Sequence, residues 1–406
     1  EDGSLRVESV GGFAPGDVIT VGVGATAERV TVRRIGDRTA GCTDLAVSPI
    51  AKAHASAETV VNVARTTRVR TVIAQCAADC SATSAAPILL VPSSVVDVTD
   101  RVRDGALEHA FPVGNGRPWV VIDFLQTASG LIAQRGGFTE TQPNYVVDHL
   151  SEGGVRIQTD FWGASVLTGA VRANVARIGG GAIFEDSLEL GSTQKWTWSF
   201  LDELARRRGH DPTTLLPALA GIGAHGIATP AFELEGIGPQ VREDYRRTLG
   251  ELYVERYVAP MQRWAGSHGM DFRVQPYGMP IAAGVASAAA GIAEGESLGF
   301  AALGATGAEQ AYRVLAAGAR VNGHDVVSTE CCAAFFGNYR SSVAGPSVDG
   351  NIGAGGDGSQ LGGRYSQGLL DSVYAAYAGG VNQLVWHGYP YRDAPVGEGV
   401  VIAHAV

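Results

Sequence analysis

Charge is sparse in this 406-residue sequence: Asp, Glu, Lys and Arg make up 18% of it, with a formal net charge of −10. Such a balance offers no basic face to a nucleic acid or an anionic membrane, and neither is expected as a partner. The one dense cationic run, Arg206-Arg207-Arg208, falls in a helical pattern and reads as a solvated face. No apolar stretch is long and charge-free enough to span a bilayer. Glu1-Asp2-Gly3 does not open a signal peptide. The five cysteines include no CxxC pair and no Cys/His ligand spacing that suggests zinc. Cys76 and Cys80 are spaced to close a small loop in an oxidising compartment. Cys331 and Cys332, adjacent in an apolar run, read as buried free thiols. A Gly-x-Ser-x-Gly elbow is missing, and with it the anchor of a serine-hydrolase reading. A Walker-type phosphate loop is missing too.

What is present is apolar residue, 45% of the chain, and glycine, 55 residues scattered without period among the apolar segments. A large core with many tight loops follows from that pairing. Residues 1–66 read as a small all-β unit: Leu5 to Val10 and Arg29 to Arg33 alternate apolar with polar, punctuated by Gly11-Gly12, Pro15-Gly16-Asp17 and Gly36-Asp37. Over residues 67–406 the grammar becomes strand-then-helix. Seven strand candidates fall near residues 69, 119, 180, 271, 293, 326 and 381. Helical periods run over 196–208, 240–268, 309–320 and 365–377, with Gly209 and Gly269 placed to stop the first two. The expected fold is α/β, a (β/α)8-type barrel preceded by the small all-β unit. One strand is lacking for closure, so it is expected upstream of residue 1 and the chain is expected to be truncated.

Several of these strands finish in acid. Glu189, Glu296 and Glu330 stand at matching strand ends, although a single such residue is more often a helix cap or ion-pair partner. Three together, joined by Gln275, Tyr277, Trp386 and His387, point to a site at a barrel mouth. Two carboxyls suit glycosidic cleavage, one protonated to release the leaving oxygen and one ionised to handle water or the anomeric carbon. Trp386, Tyr389 and Tyr391 offer rings on which a sugar can stack, though core packing uses such residues equally well. Extra carboxylates can hold a hard cation such as calcium. His387 is as readily a structural hydrogen-bonder as a substrate contact, and Asp148, before His149, is explained by helix capping.

Taken in order, several motifs resemble the glycoside hydrolase family 106 α-L-rhamnosidases. They are Asp148-His149-Leu150-Ser151, Asp186-Ser187-Leu188-Glu189, Trp196 to Phe200, Arg207 to Asp211, Trp264 to Gly269, Arg273 to Gly278, Glu294-Gly295-Glu296, Ser328-Thr329-Glu330 and Val381 to Gly388. The resemblance covers roughly residues 67–395. It implies a (β/α)8 catalytic barrel, inverting hydrolysis of terminal α-L-rhamnosides, a calcium ion at the sugar site and a secreted or periplasmic location. By motif, Glu189 would be the general acid, Glu330 the general base, and Glu296 a ligand to the metal or the sugar. Gln275, Tyr277, Trp386, His387, Tyr389 and Tyr391 would contact the carbohydrate. The acid and base of an inverting pair stand about 6.5–9.5 Å apart. A barrel glycosidase for another sugar, or a non-catalytic carbohydrate-binding fragment, are the competing expectations.

Overall fold

The structure, a computed structural model, describes residues 3–128 apart from 8–12, 14, 16, 23–25, 40–41, 56–59, 62–66, 82–85, 104 and 112–115. It further describes 146–331, apart from 189, 191–193, 222–229, 298–299 and 301–303, and then 369–386. The chain divides into two compact units. One comprises residues 1–172, 189–257 and 278–281; the other comprises 173–188, 258–277 and 282–406.

The first unit begins with a five-stranded antiparallel sheet of β1 (Gly3–Val7), β2 (Val18–Val21), β3 (Glu28–Thr39), β4 (Cys42–Val47) and β5 (Val60–Val61), in the order β1-β4-β3-β2-β5. Alternation puts Ile19, Val21, Val30, Val32, Leu45 and Val47 on one face, where they pack with Val7. A second antiparallel sheet joins β6 (Thr67–Gln75), β8 (Val96–Asp97) and β11 (Trp119–Gln126), in the order β11-β6-β8. β7 (Ile88–Leu90) runs parallel to β13 (Phe232–Leu234), and β9 (Val102–Arg103) turns back on β10 (Ala106–Leu107). The Cys76–Cys80 disulfide closes the loop after β6.

This arrangement corrects the expectation that the segments near 69 and 119 are strands of a parallel barrel. They are antiparallel partners, with Trp119 opposite Gln75. β11 carries Asp123 at its centre, bound by Arg68 Nε at 2.6 Å and Thr71 Oγ1 at 2.7 Å, and leaves Val121 and Leu125 exposed. A strand with one wet, charged face suits an antiparallel sheet and not a barrel stave covered on both sides.

Helices complete this unit. α1 (Glu152–Phe161) is capped by Ser151, whose Oγ accepts from the Gly154 N–H at 3.1 Å. Asp148, expected as that cap, instead accepts from the Leu150 N–H and the Thr197 hydroxyl, one turn too early to reach the helix start. α2 (Gly169–Ile178) carries the chain into the second unit. α3 (Phe200–Arg208) stops where Gly209 turns left-handed at φ 77°. α4 (Gly238–Tyr253) supplies Glu251, and Glu255 follows it. Arg207 and Arg208 are not solvated as the sequence suggested: their side chains keep 9% and 8% of their exposure. Arg207 binds Glu203, Glu251 and Glu255, Arg208 binds Glu251, and only Arg206 of the three reaches solvent. Glu203 is on the same helix, but Glu251 and Glu255 arrive from α4 and the residues after it.

The second unit is organised on a five-stranded sheet. β12 (Ala182–Glu185), β14 (Asp271–Val274), β15 (Ile292–Glu296), β16 (Val327–Cys331) and β17 (Gln383–Trp386) pair in parallel in chain order. α5 (Ala259–Ser267), α6 (Ala283–Ala289), α7 (Gly304–Val321) and α8 (Leu369–Ala378) occur between successive strands, so five of the seven strand candidates occupy one α/β sheet. The faces of this sheet differ sharply. Ala293 and Val327 pack on Tyr312, Leu315, Ala319 and Ala376 of the helices. Residues alternating with them, Arg273, Glu294 and Ser328, are polar or charged.

Gly295 shows how close the helix side comes. A Cβ there would lie 2.5 Å from the Tyr312 ring and 2.8 Å from that of Phe300. Cys331, at the end of β16, is fully buried but disulfide-bonded, which corrects the expectation of a free thiol. An apolar surrounding buries a half-cystine as readily as a thiol.

Candidate active site

In a parallel sheet all strands finish at the same edge, and loops leaving that edge carry the chemistry in α/β enzymes. Here the edge is acidic. Glu296 is the last residue of β15, Glu330 the last but one of β16, and the two occupy the same rung. Asp186 follows directly on β12. Carboxylate oxygens of Asp186, Glu296 and Glu330 all lie within 4.8 Å of one another.

Beneath this cluster the polar face continues inward. Glu294, two residues before Glu296 and on the same side of β15, has no exposed surface. Its Oε2 accepts from Ser328 Oγ at 2.6 Å and lies 3.2 Å from Arg273 Nε, an ion pair without hydrogen-bond alignment. Arg273 sits over the Phe184 ring, 4.5 Å from its centroid. Burial pushes the Glu294 carboxyl above the usual carboxylate range, opposed by the Ser328 hydroxyl, the Arg273 charge and the Gln275 amide. Gln275, also without exposed surface, donates from Nε2 to Glu330 Oε2 at 2.7 Å and to Glu294 Oε1 at 3.4 Å. Its Oε1 accepts from the Tyr277 hydroxyl at 2.6 Å. Burial, then the negative charges of Glu296 and Asp186, push that phenol well above its ordinary value, so it stays a donor. Phe300 packs between the Tyr277 and Tyr312 rings, and Tyr312 in turn shares a 2.7 Å hydrogen bond with Thr329 on the helix side.

The structure therefore brings together Glu296, Glu330, Gln275 and Tyr277 of the residues singled out from sequence. Trp386 ends β17, but its register partner is Cys331 and not Glu330. Alternation puts it with Leu384 on the helix-covered side, where the residue is 58% exposed. Glu189, His387, Tyr389 and Tyr391 lie outside the described residues. The strand expected to deliver Glu189 ends earlier, at Glu185. Sequence reasoning gave no role to Asp186, Arg273, Glu294 or Ser328, although the period-2 spacing of Arg273 with Gln275 and of Glu294 with Glu296 was there to be read.

A helix-backed parallel sheet with clustered carboxylates at its C-terminal edge defines a class, the α/β proteins whose sites are assembled from separate strand ends. A sequence model of the α-L-rhamnosidases, Glyco_hydro_106, matches residues 51–339, well over half of the chain, and the chain belongs to that family. Among curated proteins it is 28% identical over 194 residues to a putative β-glucuronidase of Formosa agariphila, covering 46% of this chain and 15% of that protein. Among solved structures it is similar to a rhamnosidase from Novosphingobium sp. PP1Y, at 14% identity and a TM-score of 0.48, covering 96% of this chain and 36% of that one. The chain thus spans well under half the length of either relative.

Proposed function

We propose that the chain is the catalytic part of a glycoside hydrolase that releases terminal α-L-rhamnose by inversion, its parallel sheet forming part of a (β/α)8-type barrel. Family membership supports the substrate class. The observation that carries the reading is the convergence of Asp186, Glu296 and Glu330 on one strand edge above a polar sheet face. Glu330 is assigned as the general base that takes a proton from the attacking water. Glu189 is assigned as the general acid that protonates the leaving oxygen. Tyr277, His387, Tyr389 and Tyr391 are assigned to the sugar, whereas Trp386, on the helix-covered side of β17, is not.

The donor set also fits calcium. Three carboxylates supply hard oxygen ligands in one small volume, the chemistry that calcium prefers and softer metals do not. Glu296, with Asp186 beside it, would hold the ion, and Glu330 at its border keeps the base role. When bound it would supply positive charge for sugar hydroxyls. An exported location is supported by the Cys76–Cys80 disulfide, a bond that persists in oxidising compartments. Among the described residues no helix is long and apolar enough to cross a membrane.

The name of the Formosa agariphila relative favours a second reading, in which the same barrel takes another sugar. One assay decides between them. Rhamnose release from an aryl α-L-rhamnoside is measured beside an aryl β-glucuronide, with Glu189→Gln and Glu330→Gln as controls. Turnover of the rhamnoside alone, reduced by about 10³-fold or more in either variant, is the expected result. Full activity in Glu330→Gln would remove the base assignment.

A further inference from the structure

Gln275 was expected to touch the sugar, yet both of its amide hydrogens are already engaged within the protein. Both Nε2 hydrogens are directed at carboxylates, to Glu330 at 2.7 Å and Glu294 at 3.4 Å, and its carbonyl takes the Tyr277 hydroxyl. The side chain has no exposed surface. An amide has two donors and one carbonyl acceptor to satisfy. With carboxylates on one side and a phenol on the other, only one of its two flip states fits. Glu294 is itself immobilised, held by Ser328 at 2.6 Å and by the Arg273 ion pair, while Arg273 is held over Phe184. A chain of contacts therefore runs from the packed floor of the sheet to a carboxylate at its edge.

We propose that Gln275 is a positioning residue for Glu330: it couples that carboxylate to the buried Arg273–Glu294–Ser328 group and fixes the direction in which it meets water. The inference rests on the reading of Glu330 as the general base. A flexible glutamate at a strand end samples several rotamers, and a misplacement near 1 Å can cost about 10²-fold in rate. The Nε2–Oε2 bond removes that freedom at the reacting end. Glu294 removes the corresponding freedom of the amide. Because Glu294 is wholly buried, this support comes from within the fold and does not depend on substrate being bound.

Gln275→Met keeps the volume and deletes the amide; Gln275→Asn keeps an amide but draws it back by one methylene, and serves if the methionine variant does not fold. Both are expected to lower kcat by about 10–100-fold with KM changed by less than about threefold. Azide, a small nucleophile that needs no proton removed, is expected to restore part of the turnover as rhamnosyl azide forms. A raised KM with unchanged kcat would make Gln275 a sugar contact and overturn the proposal. So would unchanged kinetics, or a fall in kcat that azide does not relieve. A readout independent of activity is the side-chain amide resonance of Gln275 in the intact wild-type chain, assigned by its loss in Gln275→Met. It should move in both Glu294→Gln and Glu330→Gln; movement in one or neither would disprove the bridge. A wild-type chain with that bridge and no glycosidase activity would defeat the assigned function and leave the bridge standing.

Discussion

Glu296 and Glu330 face each other across neighbouring parallel strands, register partners on one rung of β15 and β16, with the Asp186 carboxylate close to both. Like charges directly opposite one another on a sheet repel, by about 0.2–1 kcal/mol at an ordinary site. In chelator-treated protein, Glu296→Gln should therefore unfold at a slightly higher temperature than wild type. Millimolar calcium should raise the melting temperature of the wild type and leave that of Glu296→Gln nearly unchanged. Equal calcium responses in a thermal melt would remove Glu296 from the cation site.

Gly295 lies between those acids and the helix layer. Its missing Cβ is the space that the Tyr312 and Phe300 rings occupy. Gly295→Ala should destabilise the fold by about 1–3 kcal/mol, the cost of overpacking a close contact. It should also disturb Glu294 and Glu296, which flank it, so activity should fall in step. A urea midpoint indistinguishable from wild type would mean that the rings move aside freely.

Tyr312→Phe tests the opposite face of the sheet without changing its shape. The variant loses the buried hydroxyl contact with Thr329 and leaves the Thr329 hydroxyl its 3.3 Å bond to the Glu330 carbonyl. The expected loss is about 1–2 kcal/mol in chemical denaturation.

Arg207→Ala carries a pH signature. The Glu255 carboxyl is held below the ordinary value of 4.5 by its hydrogen bonds to Arg207. Burial pushes Glu203 and Glu251 upward, but their arginine partners hold both below that value. Depressed carboxyls contribute stability that is present above the unfolded value and is lost as pH falls through the folded one. The gap between wild type and Arg207→Ala should be about 2–3 kcal/mol at neutral pH, reduced from that of a fully buried pair because Glu255 is partly exposed. It should shrink as the pH falls below 4.5. A gap that stays constant through that range would show that packing of the Arg207 stem, and not its charge, is what matters.

Much of the second unit was legible from local pattern. The strands at 182, 271, 292, 327 and 383, and the helices between them, announce themselves by period. Gly209 and Gly269 stop their helices with φ of 77° and 72°, as glycine at a helix end allows. Glu296 and Glu330 were visible because acids after an apolar run stand out. Glu294 and Arg273 were not, since a charged residue inside a parallel strand is intelligible only once its partner is known. Asp186 was hidden by reading its strand as running on to Glu189.

By itself the sequence determined the α/β character, the helix ends and two of the clustered acids, because propensity and period are written within a few neighbouring residues. Tertiary structure alone decided that β6 and β11 pair antiparallel, that Arg207 and Arg208 are buried, and that Gln275 grips Glu330 across 55 residues of chain while Ser328 grips Glu294 across 34. Those outcomes depend on which strand and which charge come alongside. Burial makes a polar group need a partner, and only the completed fold supplies one.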